Sequence, residues 1–175
     1  MIFVTGGARS GKSAFAERLA QERDGAVTYI ATAAAGDEEM RARIAEHRRR
    51  RPESWRTVEL DSGLAAGVES ALAGGGTVLV DCLTVYISNR LLAQGFIDVQ
   101  ATIERIEREV DEIAGACAQA DGSVIVVSNE VGMGIVPGNS LSRAFRDIAG
   151  RANQRMAAGA DEVYLCVSGI PVKVK

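Results

Sequence analysis

Gly6-Gly7-Ala8-Arg9-Ser10-Gly11-Lys12-Ser13 fits the pattern G-x-x-x-x-G-K-[ST]. The stretch follows the apolar run Ile2-Phe3-Val4 and opens a helical pattern containing Phe15 and Leu19. A strand, a glycine-rich turn and a helix, in that order, are the context that gives this motif its meaning. Glycines are needed because successive backbone N–H groups must curl around a phosphate, and the start of the helix adds the positive end of its dipole. Lys12 is then expected on the β- and γ-phosphates of a nucleotide, and the Ser13 hydroxyl on Mg²⁺. The bland alternative, a glycine-rich turn with a chance lysine, is poorly served by so complete a match in so fitting a place.

Beyond this stretch, β-branched runs recur at Ile2–Thr5, Val27–Ala31, Arg56–Leu60, Val78–Asp81, Val124–Ser128 and Val163–Val167, separated by helical patterns. Strands alternating with helices predict an α/β fold with a mainly parallel sheet, here a three-layer P-loop architecture. The near-continuous apolar runs Val78-Leu79-Val80 and Val124-Ile125-Val126-Val127 read as central strands covered on both faces. Ser168-Gly169-Ile170-Pro171 predicts a tight turn into a short antiparallel edge strand at Val172–Val174. The clearest helix carries Val99, Ile103, Ile106, Val110 and Ile113 at helical spacing, with Glu104, Arg105, Glu107, Arg108 and Glu109 expected on a solvated face. With 175 residues and no repeat, linker or shift in composition, residues 1–175 read as a single nucleotide-binding domain.

The overall composition narrows the function. Hydrophobic residues make up 47% and charged residues 25%, as in a folded globular domain. A net charge of −3 and an aromatic content of 5% disfavour a nucleic-acid groove, so phosphate chemistry is expected to be local. The N-terminal apolar run is too short for a signal-peptide core and no run is long enough to span a membrane, which predicts a cytoplasmic protein without stable membrane insertion. The three cysteines, Cys82, Cys117 and Cys166, lie far apart without a Cys-x-x-Cys pair and read as reduced, mostly buried thiols.

Several further residues bear on a site. Asp81 ends a buried strand at the edge where Mg²⁺ would sit, as a Walker B carboxylate does, although such an Asp can also cap the next segment. Asp37–Arg51 reads as a helix closed by Pro52, with Met40, Ile44 and the single histidine, His47, sharing one inward face. A lone histidine on an apolar face is commonly a packing residue. Arg48, Arg49, Arg50 and Arg51 alter that weighing, because fixed positive charge disfavours imidazolium and would keep a ring nitrogen free to attack phosphorus, while the helix C-terminus opposes this by favouring the cation. A basic helix end or a kinase lid is the competing reading. Glu59, ending the third strand, has the acceptors for the N1–H and 2-amino group of guanine, or is an ordinary surface carboxylate. The glycine-rich run Asn129–Gly138 follows a central strand and reads as a substrate loop rather than a structural Ω-loop.

Together, the octet, Tyr29-Ile30-Ala31-Thr32, the His47–Pro52 stretch, Asn129–Pro137, Phe145–Arg151 and Ser168-Gly169-Ile170 resemble the bifunctional adenosylcobinamide kinase/adenosylcobinamide-phosphate guanylyltransferase family of cobalamin biosynthesis. The likeness covers nearly the whole chain, and its most specific segment is Asn-Glu-Val-Gly-Met-Gly-Ile-Val-Pro. It implies a RecA-like P-loop fold, a homotrimer, and two reactions. The first phosphorylates the aminopropanol hydroxyl of adenosylcobinamide from GTP or ATP. In the second, GTP guanylylates the histidine that maps onto His47, and GMP passes to adenosylcobinamide phosphate, giving adenosylcobinamide-GDP. The resemblance places Lys12 and His47 as catalytic groups. It places nucleotide contacts at Gly6 to Ser13, Ala31, Thr32, Ala33, Arg48 to Arg51, Glu59 and Asp81, with Mg²⁺ on Ser13 and Asp81. A hinge at Ala33-Ala34-Ala35-Gly36 is expected to carry the histidine helix between the two steps. The competing functions are a P-loop small-molecule kinase without a covalent nucleotide, a GTP-binding switch, for which the Asn-Lys-x-Asp guanine motif is missing, and a RecA-type nucleic-acid ATPase.

Overall fold

Along Val78-Leu79-Val80 the side chains alternate between two separate cores. Val78 and Val80 join Phe3, Ile30, Val124 and Val126, whereas Leu79 joins Ile2, Val4, Tyr29, Ile125 and Val127. Successive residues of a strand face opposite sides of the sheet, so both faces are buried, as a parallel sheet requires. This is seen in a computed structural model that describes residues 1–33, 38, 41, 44, 45, 48, 49, 51–93 and 99–175. The strands are β1 (Ile2–Gly6), β2 (Val27–Ala31), β3 (Arg56–Glu59), β4 (Thr77–Asp81), β5 (Ser123–Asn129), β6 (Glu162–Val167) and β7 (Ile170–Lys173). They form one seven-stranded sheet in the order β3-β2-β4-β5-β1-β6-β7, parallel except for the β6–β7 pair.

Helix α1 (Lys12–Gln21) covers one face through Phe15, Ala16 and Ala20. The other face is covered by α2 (Leu64–Leu72), α3 (Leu83–Ala93), α4 (Val99–Ala118) and α5 (Ser140–Gly159), which contribute Leu64, Leu83, Ile87, Ile106, Val110, Ile113, Ile148 and Met156 to the larger core. The three-layer α/β architecture expected from the alternating pattern is therefore the one observed. Among the described residues, no helix is long and apolar enough to cross a membrane.

The apolar stripe of α4 packs as its spacing predicts, but the charge run beside it is not uniformly solvated. Glu109 accepts from Arg90 Nε and Nη2 on α3, both at 2.8 Å, and from the Tyr86 hydroxyl at 3.0 Å. Glu107 meets Arg151 and Arg155 on α5. Half-buried carboxylates on the flanks of the stripe thus bind α4 to its neighbours, while Glu104, Arg105 and Arg108 are exposed. The predicted edge hairpin is present with a shorter turn than expected: Ile170 and Pro171 already belong to β7, paired with Val167 and Cys166, leaving Ser168 and Gly169 at φ +52° and +83°, the left-handed pair that lets a two-residue turn follow the twist of its strands.

Because β1, β2, β4 and β5 are parallel, their C-terminal ends lie along one edge of the sheet. Strand β5 lies between β1, which leads into the phosphate motif, and β4, which ends at Asp81. This edge is where ligands of open α/β sheets bind.

Candidate functional site

Gly6 ends β1, and the chain turns through exposed Gly7, Ala8 and Arg9 before buried Ser10 and Gly11 lead into α1. The turn is closed by Ser10 N–H donating to Gly7 O at 3.2 Å, and by Glu130 N–H, from the loop after β5, donating to Gly6 O at 2.9 Å. It is braced from the β6–β7 turn, where Gly169 N–H donates to Ser10 O at 2.9 Å. Two glycines are demanded by close approach: a Cβ on Gly6 would lie 2.6 Å from Cys166 O, and one on Gly11 would lie 2.9 Å from Gly169 Cα. Gly11 also holds φ +89° as the residue before the first turn of α1. Lys12, the first residue of that helix, is 9% exposed, and its Nζ donates to Gly7 O at 3.3 Å. The ammonium is folded over the loop whose amides would hold a phosphate. The Ser10 hydroxyl is buried beside Gly6 and has no hydrogen-bond partner among the described residues.

Asp81 is held from β2 by both its main chain and its side chain. Thr32 N–H donates to Asp81 O at 3.3 Å, and the Thr32 hydroxyl both donates to Cys82 O at 2.7 Å and accepts from Cys82 N–H at 2.9 Å. Thr32 O in turn accepts from Asn89 Nδ2 at 2.8 Å. The Tyr29 hydroxyl donates to Asp81 Oδ2 at 2.9 Å. Burial, and then the charge of Asp81, push the Tyr29 phenol well above its ordinary range. The same two causes push the Cys82 thiol up to about 12.

A third group gathers beside β2 and β3. Ala31, Thr32, Ala33, Arg41, Ile44, Arg48 and Glu59 border a cleft of about 580 Å³. A second cleft, of about 520 Å³, is lined by Arg48, Arg51, Trp55, Thr57 and Glu59. Arg48 and Glu59 form an ion pair at the rim common to both. Arg51 lies with its guanidinium carbon 3.3 Å from the centre of the Tyr29 ring, and Arg49 is exposed. Glu38, Arg41, Ile44, Ala45, Arg48 and Arg49 have helical backbone, as expected for this segment. His47, Arg50 and Met40, and the expected hinge residues Ala34, Ala35 and Gly36, lie outside the described residues.

The structure also brings forward residues that pattern reading did not single out. Ser128, Thr84 and Asn153 form a buried network at the end of β5: Ser128 Oγ donates to Asn153 Oδ1 at 2.7 Å and lies 2.8 Å from Thr84 Oγ1. Asn153 Nδ2 donates to Asn129 O at 3.0 Å, so helix α5 fixes the chain where it leaves β5 beside the Gly6 end of β1. An Asn in the middle of the amphipathic α5 pattern was the available signal. Tyr29 gave none, because a tyrosine in an apolar strand reads simply as core.

Among the described residues, no three His, Cys, Asp or Glu side chains cluster to hold a metal. Mg²⁺ binds through one or two protein oxygens together with substrate phosphates and waters. The oxygens of Ser13 and Asp81 are the hard donors such an ion takes, and both residues stand at the phosphate edge.

A model of the family described as cobinamide kinase / cobinamide phosphate guanyltransferase matches residues 2–174. The chain belongs to that family. It is thereby a bifunctional enzyme, a cobinamide kinase and cobinamide phosphate guanylyltransferase of adenosylcobalamin biosynthesis. Bifunctional adenosylcobalamin biosynthesis proteins of Escherichia coli K12 and Salmonella typhimurium LT2 are each 48% identical to it, over 100% of this chain and 99% of theirs. That of Pseudomonas aeruginosa PAO1 is 46% identical, over 98% of this chain and 95% of its own. Among solved structures, an ATPase from the type III secretion system of pathogenic bacteria superposes with a TM-score of 0.59 at 12% identity. The match covers 98% of this chain and 56% of the ATPase, and it shows a common P-loop fold.

Proposed function

We propose that both reactions of this enzyme run over one phosphate cradle, with His47 carrying the nucleotide between them. In the first, the aminopropanol hydroxyl oxygen of adenosylcobinamide attacks the γ-phosphorus of GTP or ATP, and the bond to the β–γ bridging oxygen breaks. Lys12 and the amides of the Gly6–Gly11 turn stabilise the charge on the transferring group and on the departing diphosphate. In the second, a ring nitrogen of His47 attacks the α-phosphorus of GTP and pyrophosphate leaves. A phosphate oxygen of adenosylcobinamide phosphate then attacks the same phosphorus, displacing the imidazole and giving adenosylcobinamide-GDP.

Ser13 and Asp81 would hold Mg²⁺, which when bound neutralises charge on the phosphate oxygens. Arg48 to Arg51 meet phosphate charge, and Glu59 with Ala31 to Ala33 receives the guanine. The loop after β5 presents Met133, Ile135 and Val136 to solvent. These side chains supply an apolar surface for the corrin close to the cradle to which Glu130 ties the loop. The working form is a cytoplasmic homotrimer.

The observation that carries this reading is the braced cradle at one end of a parallel edge that ends in an arginine-lined cleft, in a chain matched end to end by bifunctional relatives. The test is to incubate the enzyme with Mg²⁺ and GTP labelled at the α-phosphate, quench in denaturant, and compare His47→Ala. Retained label that survives alkali, is released by acid and is absent from the variant is expected for a histidine phosphoramidate. No label on folded protein that still transfers a γ-phosphoryl group to cobinamide would leave a kinase without a covalent nucleotide.

A further inference from the structure

Tyr29 has no part in either reaction as written above, yet it stands where the two halves of the site meet. Its ring is 2% exposed and packs with Leu79, Val127 and Phe15, a setting that Phe would fill equally well. The hydroxyl, however, crosses from β2 to the neighbouring strand β4 and donates to Oδ2 of Asp81 at 2.9 Å. A donor on one carboxylate oxygen fixes the rotation of the whole group. The Asp81 main chain is held by Thr32, the residue after β2, so Tyr29 and Thr32 bear on the orientation and the position of this carboxylate.

The opposite face of the phenol is taken by Arg51, whose guanidinium carbon lies 3.3 Å from the ring centre. Among the described residues, the Arg51 guanidinium has a long hydrogen bond from Nη1 to Thr57 Oγ1 at 3.5 Å. Stacking on the aromatic ring adds to what holds the cation, as cation–π geometry allows. In sequence, Arg51 closes the segment that carries His47 and Arg48.

We propose that Tyr29 is a positioning residue: clamped by Arg51 and bonded to Asp81, it orients the carboxylate for Mg²⁺. The link makes cation affinity depend on Tyr29 and Arg51 as well as on Asp81. The inference rests on the assignment of Asp81 to Mg²⁺, and the experiment separates the two.

Binding of β,γ-imido-GTP is measured by calorimetry in Mg²⁺ and in EDTA. The ratio of the two dissociation constants is the coupling to Mg²⁺ and involves no turnover. Tyr29→Phe keeps the ring and is expected to leave the EDTA value unchanged while reducing the coupling about tenfold, the usual effect of removing the group that orients a metal ligand. Arg51→Met, which frees the ring without emptying the core, is expected to give a smaller loss. Asp81→Asn should reduce the coupling at least as far, Ser13 and the phosphates remaining, and Tyr29→Phe should then add nothing to it. If Asp81→Asn retains full coupling, the assignment of Asp81 to the cation fails. If Asp81→Asn lowers it while Tyr29→Phe binds as the unaltered protein does, the positioning role alone is overturned. Should Tyr29→Phe show no cooperative melting transition, Arg51→Met decides, and unchanged coupling there refutes the link.

Discussion

Gly11→Ala strains the phosphate-motif turn both locally and at its tertiary support. At φ +89° an alanine is strained by about 1–2 kcal/mol. Its Cβ would also sit 2.9 Å from Gly169 Cα, a backbone atom that cannot swing aside as a side chain end can. Relief requires the β6–β7 turn to withdraw, stretching the 2.9 Å bond from Gly169 N–H to Ser10 O, which is worth about 1 kcal/mol. The sum is about 2–3 kcal/mol, or roughly 5–10 °C in melting temperature for a chain of this length. Losing one well-aimed amide from the cradle, at about 1.4 kcal/mol, weakens nucleotide binding roughly tenfold. Gly7→Ala is the matched control, because a Cβ there meets nothing within 4 Å. Thermal melts of both variants, with nucleotide affinity by calorimetry, check the reasoning. Melting of Gly11→Ala within about 1 °C of Gly7→Ala, with equal nucleotide affinity, would refute the claim that the hairpin turn props the loop.

Thr32→Val leaves Cys82 N–H and O without their shared partner in a residue that is 1% exposed, so a loss of about 1–3 kcal/mol is expected in urea unfolding. Cys82 and Cys117, both pushed up to about 12 chiefly by burial, should react with a thiol reagent at pH 8 only as the protein unfolds, which is read by labelling across a denaturant series. Burial alone would raise the Glu109 carboxyl, but hydrogen bonds from Arg90 and Tyr86 outweigh it and hold the carboxyl below the ordinary 4.5. A depressed folded value stabilises the protein above the unfolded value, and that contribution is lost as pH falls from about 4.5 through the folded value. Glu109→Gln should flatten this part of the acid denaturation curve, and an unchanged curve would mean that the Arg90 bridge contributes nothing.

Much of the fold was legible because its signals are local. The apolar runs Val78-Leu79-Val80 and Val124–Val127 could be placed as central strands, since only strands covered on both faces carry so little polarity. The left-handed pair at Ser168-Gly169 could be read as a hairpin from its residue types. The charge run on α4 was legible only in part: which of its carboxylates meets an arginine depends on the packing of α3 and α5 alongside it, and spacing within one helix holds no such information.

The site divides in the same way. The octet from Gly6 to Ser13 carries its own expectation, because a turn of amides ending in a helix start and a lysine is suited to cradle a phosphate. That Asp81 ends a buried strand at the same edge was also legible. That Gly11 is pinned by Gly169, that Asn153 holds the end of β5, and that Tyr29 ties Asp81 to Arg51 are facts of tertiary structure alone. Each joins residues distant in the chain whose contact is made by the order of the strands, so the sequence determined which groups the enzyme has, and the folded sheet decided which of them touch.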